Sequence, residues 1–172
     1  MNQVMPKIER IKKRHLLKKR EQRDEIANIE SEIGSSIKGL DDKSRIEGGV
    51  LDDGSRVLLL EGEIIFFQHE GRMLPALRAL LKGLIDVPRI TVDMGAVKYV
   101  VNGADIMRPG ITQVDDRVRK DGIVVVVDEN HGKPLAVGIS MMSAEEMKAA
   151  TSGKVIKSIH HVNDDLWVFG KA

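Results

Sequence analysis

Residues 92–111 read Val92-Asp93-Met94-Gly95-Ala96-Val97-Lys98-Tyr99-Val100-Val101-Asn102-Gly103-Ala104-Asp105-Ile106-Met107-Arg108-Pro109-Gly110-Ile111. A strand, Ile90-Thr91-Val92-Asp93, runs into this segment. A short helix opens at Met94-Gly95-Ala96 and continues to about Val101. Asn102-Gly103 ends it as a left-handed C-terminal residue would. Met107-Arg108-Pro109-Gly110 then reads as an extended corner. Small residues at Gly95, Ala96, Gly103 and Ala104 let another backbone approach closely. Free N–H groups at the helix start and along the corner suit phosphate oxygens, and Lys98 and Arg108 add charge. Tyr99 offers a ring, although a single tyrosine on a short helix is more often core packing. The same residues would also build a plain structural corner, and the pattern alone leaves both readings open.

Downstream of this segment the chain is mostly β. Ile123–Val127 is a continuous apolar run, as expected of a strand buried on both faces. Asp128-Glu129-Asn130-His131-Gly132-Lys133 is a polar turn, and Leu135-Ala136-Val137-Gly138-Ile139 returns from it. Ser143-Ala144-Glu145-Glu146 carries an N-cap and an acidic first helical turn, with Gly153 beyond the helix. Val155-Ile156 and Trp167-Val168-Phe169 read as further short strands. Many short strands joined by glycine turns predict a small barrel or sandwich.

Upstream, Val57-Leu58-Leu59-Leu60 and Ile64-Ile65-Phe66-Phe67 flank Glu61-Gly62-Glu63, which predicts a hairpin. Asp52-Asp53-Gly54-Ser55 closes another with Glu47–Leu51. Leu16, Leu17, Ile26, Ile29 and Ile33 recur at helical spacing, predicting an amphipathic helix over 15–33 that stops at Gly34. Pro75 stands where a helix can start, with Leu77, Leu80, Leu81 and Leu84 along one face. Val87-Pro88 interrupts that helix. The expected organisation is α+β: a domain over 1–88 with a basic N-terminal helix, then a second domain over 89–172.

The 172 residues suffice for one ordinary domain or two small ones, and 42% hydrophobic with 31% charged residues is a globular balance. Aromatics are only 3%, so a surface that stacks bases on several rings has few rings to use. The net charge is +1, but its distribution is uneven. Lys7, Arg10, Lys12, Lys13, Arg14, Lys18, Lys19, Arg20 and Arg23 crowd the start, opposed there only by Glu9 and Glu21. Such an excess attracts polyanions through counterion release, unless it is merely a solvated helix face. With no cysteine, disulfides and cysteine zinc sites are excluded. No apolar run approaches the ~18 residues of a membrane helix, so a soluble, cytoplasmic chain is expected.

No constellation for catalysis is legible. His160-His161 with Asp164-Asp165 suggests a metal or acid–base cluster, but neighbouring strand residues point to opposite faces. Strand-end and turn polars are the simpler reading. His69 and His131 lie beside turn glycines with no nucleophile nearby, and Ser140 and Ser143 sit in no Gly-flanked elbow. Gly95 to Gly110 follows neither phosphate-loop spacing. Neither a cofactor nor a metal is expected, and the chain reads as a non-enzyme.

Val92–Ile111 resembles the signature of the PUA module, named for pseudouridine synthases and archaeosine transglycosylases. Lys133-Pro134-Leu135-Ala136-Val137-Gly138 resembles its second signature, a strand beside the helix. Gly62-Glu63-Ile64-Ile65-Phe66-Phe67, Leu74-Pro75-Ala76-Leu77-Arg78 and His160-His161-Val162-Asn163-Asp164-Asp165-Leu166-Trp167 resemble the malignant T-cell-amplified-sequence family, most of all its archaeal members. The resemblance spans roughly residues 15–170. It implies a family-specific α+β domain followed by a PUA-like pseudo-barrel with short helices. It also implies a translation-associated RNA-binding protein that contacts a tRNA acceptor or CCA end, or small-subunit rRNA, in initiation or recycling. The small ribosomal subunit and a partner initiation or recycling protein are implied partners. Carried onto this chain, the RNA contacts are Gly95, Lys98, Asn102, Gly103, Arg108, Gly110 and Gly138. The basic run near the start has no counterpart in the eukaryotic relatives. Two other readings are a substrate-delivering subunit of an RNA-modification enzyme and a protein–protein adaptor.

Overall fold

A computed structural model describes residue 8 and residues 10–169. Lys7 and Glu9 of the basic run lie outside the described residues. The described chain forms two compact units, one of residues 87–164, the other of the residues up to 86 together with 165–169.

The first unit is an antiparallel meander of five strands in sequence order. Its strands are β1 (Lys12–Leu16), β2 (Ile46–Val50), β3 (Arg56–Leu60), β4 (Glu63–His69) and β5 (Arg72–Pro75). The β3–β4 turn places Glu61 at φ 53° and Gly62 at φ 80°, the two positive values a tight hairpin needs. Helix α1 (Lys19–Ile33) packs against β5, and α2 (Leu77–Leu81) packs against β4 and β5. Ile29, Ile46, Leu58, Ile65 and Phe66 fill the core. Gly34 closes α1 at φ 80°, donating its N–H to the carbonyl of Glu30 at 2.8 Å.

Three expectations for this unit change. The first helix starts at Lys19, and Lys12–Leu16 is instead an edge strand paired with β2. The reason is the open backbone edge of β2, which outweighs the helical spacing of Leu16 and Leu17. Glu21 then marks the helix start by accepting the N–H of Lys18 at 3.1 Å. Pro75 ends β5, and α2 begins two residues later and stops at Leu81, leaving Leu81 exposed and Leu84 buried beyond the helix. Trp167 and Val168 belong to a short helix, α5 (Asp165–Val168), and not to a strand. The Arg78 guanidinium lies 3.8 Å from the Trp167 ring centre and donates to the Trp167 carbonyl at 3.0 Å. It also lies 3.1 Å from Glu63 Oε2.

The second unit is a six-stranded pseudo-barrel with short helices. Its strands are β6 (Arg89–Val92), β7 (Ile106–Met107), β8 (Ile111–Val114), β9 (Ile123–Asp128), β10 (Pro134–Ser140) and β11 (Lys154–His161). They run in the order β7-β11-β10-β9-β6-β8, and β6 and β9 are parallel while the other pairs are antiparallel. Every residue of β9 is buried, as its unbroken apolar run predicts. Helix α3 (Met94–Val100) packs against β10, and α4 (Ala144–Ala149) packs against β8. Ser143 caps α4 reciprocally: its hydroxyl accepts the Glu146 N–H and the Glu146 carboxylate accepts the Ser143 N–H, both at 3.2 Å. Met147 then reaches the core, fully buried with Val124, Val126, Val155 and Ile156.

No described helix is long and apolar enough to cross a membrane.

Candidate nucleic-acid interface

Residues 92–111 fold as one corner of the second unit. β6 ends at Val92, and the next residue, Asp93, caps α3 with its side chain by accepting the Ala96 N–H at 2.8 Å. The Asp93 N–H donates to the Gly110 carbonyl at 2.9 Å, tying the far end of the segment to the helix start. The Glu129 carboxylate accepts the Met94 N–H at 3.2 Å. Two of the first N–H groups of α3 are thus already bonded to carboxylates. The expected phosphate seat on the helix start is therefore largely taken, with negative charge on both sides of Gly95.

The outer face of α3 is a different matter. Gly95, Lys98 and Asn102 stand three and four residues apart, hence on one face, and all three are exposed. Tyr99 is 59% exposed, so its ring is a surface group and not core packing. The Lys98 ammonium lies 5.0 Å from the Tyr99 ring centre and has no carboxylate partner among the described residues. Asn102 also ends the helix, donating its amide to the Lys98 carbonyl at 2.8 Å. Met94 and Met107 extend the exposed face with apolar surface, 44% and 52% accessible.

The remaining expected residues shape the corner. Gly103 has φ 89°, and a Cβ there would lie 2.8 Å from His161 Nε2. Met107-Arg108-Pro109-Gly110 is not extended: Arg108–Gly110 makes a single 3-10 turn pressed on α3, where a Cβ at Gly110 would meet the Ala96 Cβ at 3.2 Å. Gly138 is buried at the irregular β10–β11 pairing, where a Cβ would meet the Lys157 carbonyl at 2.6 Å. Arg108 is turned inward. Its Nε donates to the Met147 carbonyl at 2.7 Å and a terminal nitrogen donates to Ile111 at 3.1 Å. The expected residues thus divide: Gly95, Lys98 and Asn102 share the outer face, while Gly103, Arg108, Gly110 and Gly138 hold backbones together. The exposed methionines went unassigned because an exposed Met carries no sequence signal of its own.

The two histidines separate as strand geometry requires. His160 is fully buried with Nδ1 2.8 Å from Asp164 Oδ2, and the His161 ring bonds the Val162 carbonyl at 2.8 Å. Among the described residues no three His, Asp or Glu side chains converge on one point. The basic run is partly neutralised. Arg14 pairs with Glu47 at 2.7 Å, Arg23 with Asp42 at 2.8 Å and Lys12 with Asp52 at 3.5 Å. These exposed pairs add little stability, but they reduce the charge the run offers a polyanion.

The PUA domain family matches residues 88–162, and a domain of unknown function, DUF1947, matches residues 13–83. The chain is 39% identical over 163 residues to a protein of Methanocaldococcus jannaschii, covering 92% of this chain and 98% of that one. It is 38% identical over 133 residues to translation machinery-associated protein 20 of Saccharomyces cerevisiae, covering 74% of each. Malignant T-cell-amplified sequence 1 of Rattus norvegicus is 40% identical over 115 residues, 64% of this chain and 63% of that one. A conserved PUA domain protein from Thermoplasma acidophilum superposes with a TM-score of 0.75 at 29% identity, covering 89% of this chain and 96% of that one. The chain belongs to the family that contains translation machinery-associated protein 20 and the malignant T-cell-amplified sequences, and its second unit is a PUA-type pseudo-barrel.

Proposed function

We propose that the protein is a non-catalytic RNA-binding factor of the translation machinery, and that α3 with the following turn is its RNA grip. The observation that carries this reading is the exposed row Gly95–Lys98–Asn102 beside the open Tyr99 ring, with an unpaired ammonium over it. An exposed ring and one exposed charge suit a base and a phosphate. Gly103, Arg108, Gly110 and Gly138 act indirectly, by fixing the turn and strand against which RNA would lie. The family supports the translational role, since its yeast member is named for association with that machinery. The RNA would be a tRNA acceptor or CCA end, or small-subunit rRNA, and the working site cytoplasmic. A partner initiation or recycling protein on the small subunit completes the reading. Lys13, Lys18 and Arg20, which make no ion pair among the described residues, add sequence-independent attraction.

Crosslinking in cells, followed by sequencing of the attached RNA, tests the reading. Reads concentrated on tRNA 3′ ends or on small-subunit rRNA are expected, and loss of those reads in Lys98→Glu ties them to α3. Reads scattered in proportion to RNA abundance would refute it.

A further inference from the structure

On the second unit, strands β6 and β8 and the β9–β10 turn enclose a cleft of about 620 Å³ that no residue of the α3 face lines. Its walls include Arg89, Thr91, Gln113, Asp115, Asp128 and Asn130. The acids in and around it are already engaged. Asp115 bonds the Arg117 guanidinium at 2.8 Å and the Arg89 N–H at 3.2 Å, and Arg117 holds its carboxyl down at about 2. Asp128 accepts the N–H groups of His131 at 2.6 Å and Lys133 at 3.2 Å, which stabilises its ionised form. Glu129 is occupied by the Met94 N–H.

What is left unengaged is a set of donors and neutral amides. The Arg89 guanidinium is exposed and has no carboxylate partner among the described residues. One of its terminal nitrogens lies 3.7 Å from where a Cβ on Gly132 would stand, which places the fork beside the β9–β10 turn. Gln113, Asn130 and Thr91 add side chains that donate and accept. A fork-shaped cation beside the amides of Gln113 and Asn130, with the cleft's carboxylates already bonded, fits one phosphate and one heterocycle edge. The bound carboxylates around it disfavour polyphosphates and dicarboxylates, which would bring more negative charge.

We infer that this cleft is a nucleotide subsite, in which Arg89 takes a phosphate and Gln113 and Asn130 read the edge of an unstacked base. The occupant is a nucleotide of an RNA single strand leaving the α3 grip, so the inference rests on the RNA reading above. Continuity of the fold argues for the strand. β6 carries Arg89 and runs straight into the α3 cap at Asp93, and Glu129 joins the cleft rim to the first helical residue.

The test uses the full chain and two fluorescein-labelled RNA hairpins, one blunt and one with a four-nucleotide 3′ single strand. Wild type should bind the tailed hairpin about tenfold more tightly, the size of one charge-assisted bidentate contact. Arg89→Ala and Gln113→Ala should each abolish that preference. Arg89→Ala keeps the backbone bond to Asp115, and its thermal midpoint should match wild type. A wild-type protein without tail preference, or an Arg89→Ala variant that retains it, overturns the subsite. If wild type binds neither hairpin, the RNA reading itself falls. The cleft is then judged alone by an amide-shift titration with cytidine monophosphate. Shifts at Thr91, Gln113 and Asn130 that vanish in Arg89→Ala support a free-nucleotide source, and their absence overturns the subsite.

Discussion

Arg108 and Met147 are joined by a 2.7 Å hydrogen bond from the guanidinium Nε to the backbone carbonyl near the end of α4. A second bond to Ile111 at 3.1 Å makes this arginine a brace between the 3-10 turn and α4. Charge-assisted bonds of this kind contribute about 1.5–3 kcal/mol, and after truncation the Met147 carbonyl keeps the weaker bond from the Ala150 N–H at 3.2 Å. Arg108→Ala should lower the urea midpoint by an amount equivalent to about 2 kcal/mol. A midpoint equal to wild type would mean that the brace carries no energy.

Lys98 presents the opposite case, an exposed cation with no carboxylate partner among the described residues. Lys98→Glu should leave the thermal midpoint within experimental scatter. RNA affinity should fall, and the slope of log affinity against log salt should flatten by about one. Filter binding across a salt series measures both, and an unchanged slope removes Lys98 from the grip.

At Gly103, φ of 89° and the neighbouring His161 ring both oppose a side chain. Gly103→Ala should cost about 1–3 kcal/mol, part from left-handed backbone strain and part from collision. The collision part can be isolated. In a His161→Ala background the cost should shrink by the steric share, and a cycle with no coupling would leave strain as the whole effect.

Asp115 makes stability depend on acid. Its folded-state carboxyl sits at about 2 against an ordinary 3.8, because the Arg117 guanidinium and backbone N–H groups favour the ionised form. A depressed carboxyl stabilises above its unfolded value and loses that contribution as pH falls through the folded value. Wild type should therefore exceed Asp115→Asn by about 1–2 kcal/mol at neutral pH, allowing for solvent screening. The gap should close between about pH 4 and pH 2. Equal stability at pH 7 would contradict the assignment.

Trp167 is the only tryptophan, so its fluorescence reports α5 directly. Arg78→Met removes the stacked cation and the bond to the Trp167 carbonyl, worth about 1–2 kcal/mol together. Emission should shift to the red, and trypsin should release the C-terminal residues sooner. An unchanged spectrum would show that α5 is held by apolar packing alone.

Where local chemistry and tertiary placement agree, the sequence was readable. Ile123–Val127 needs burial on both faces and receives it, every residue of β9 being buried. Ser143 and Glu146 cap each other because their spacing permits nothing better. The misreadings came where a neighbour decides. Lys12–Leu16 is a strand because β2 offers an edge, a fact absent from residues 15–33. Trp167-Val168-Phe169 has strand-like composition, yet Asp165 opens a helical turn there and Arg78, distant in sequence, covers the ring. The shared exposed face of Gly95, Lys98 and Asn102 was legible from helical spacing. The inward turn of Arg108 was not, since nothing near it in sequence announces the carbonyl of Met147. The Arg89 cleft was hidden for the same reason: its walls are assembled from three separate segments.

Residues 165–169 rejoin the unit that the chain left at Asp86, so residues 87–164 are an insertion within another fold. Arg78 and the carbonyl it holds on Trp167 are 89 residues apart. At about 5–20 residues per second, a ribosome needs roughly 4–18 seconds to deliver the second after the first. During that interval the five strands of the meander are already made, while β6 to β11 of the inserted unit emerge one after another. The bond from Arg78 to Trp167 can therefore close only after the inserted unit has been made, so a chain stalled within residues 87–164 carries the meander without that clasp.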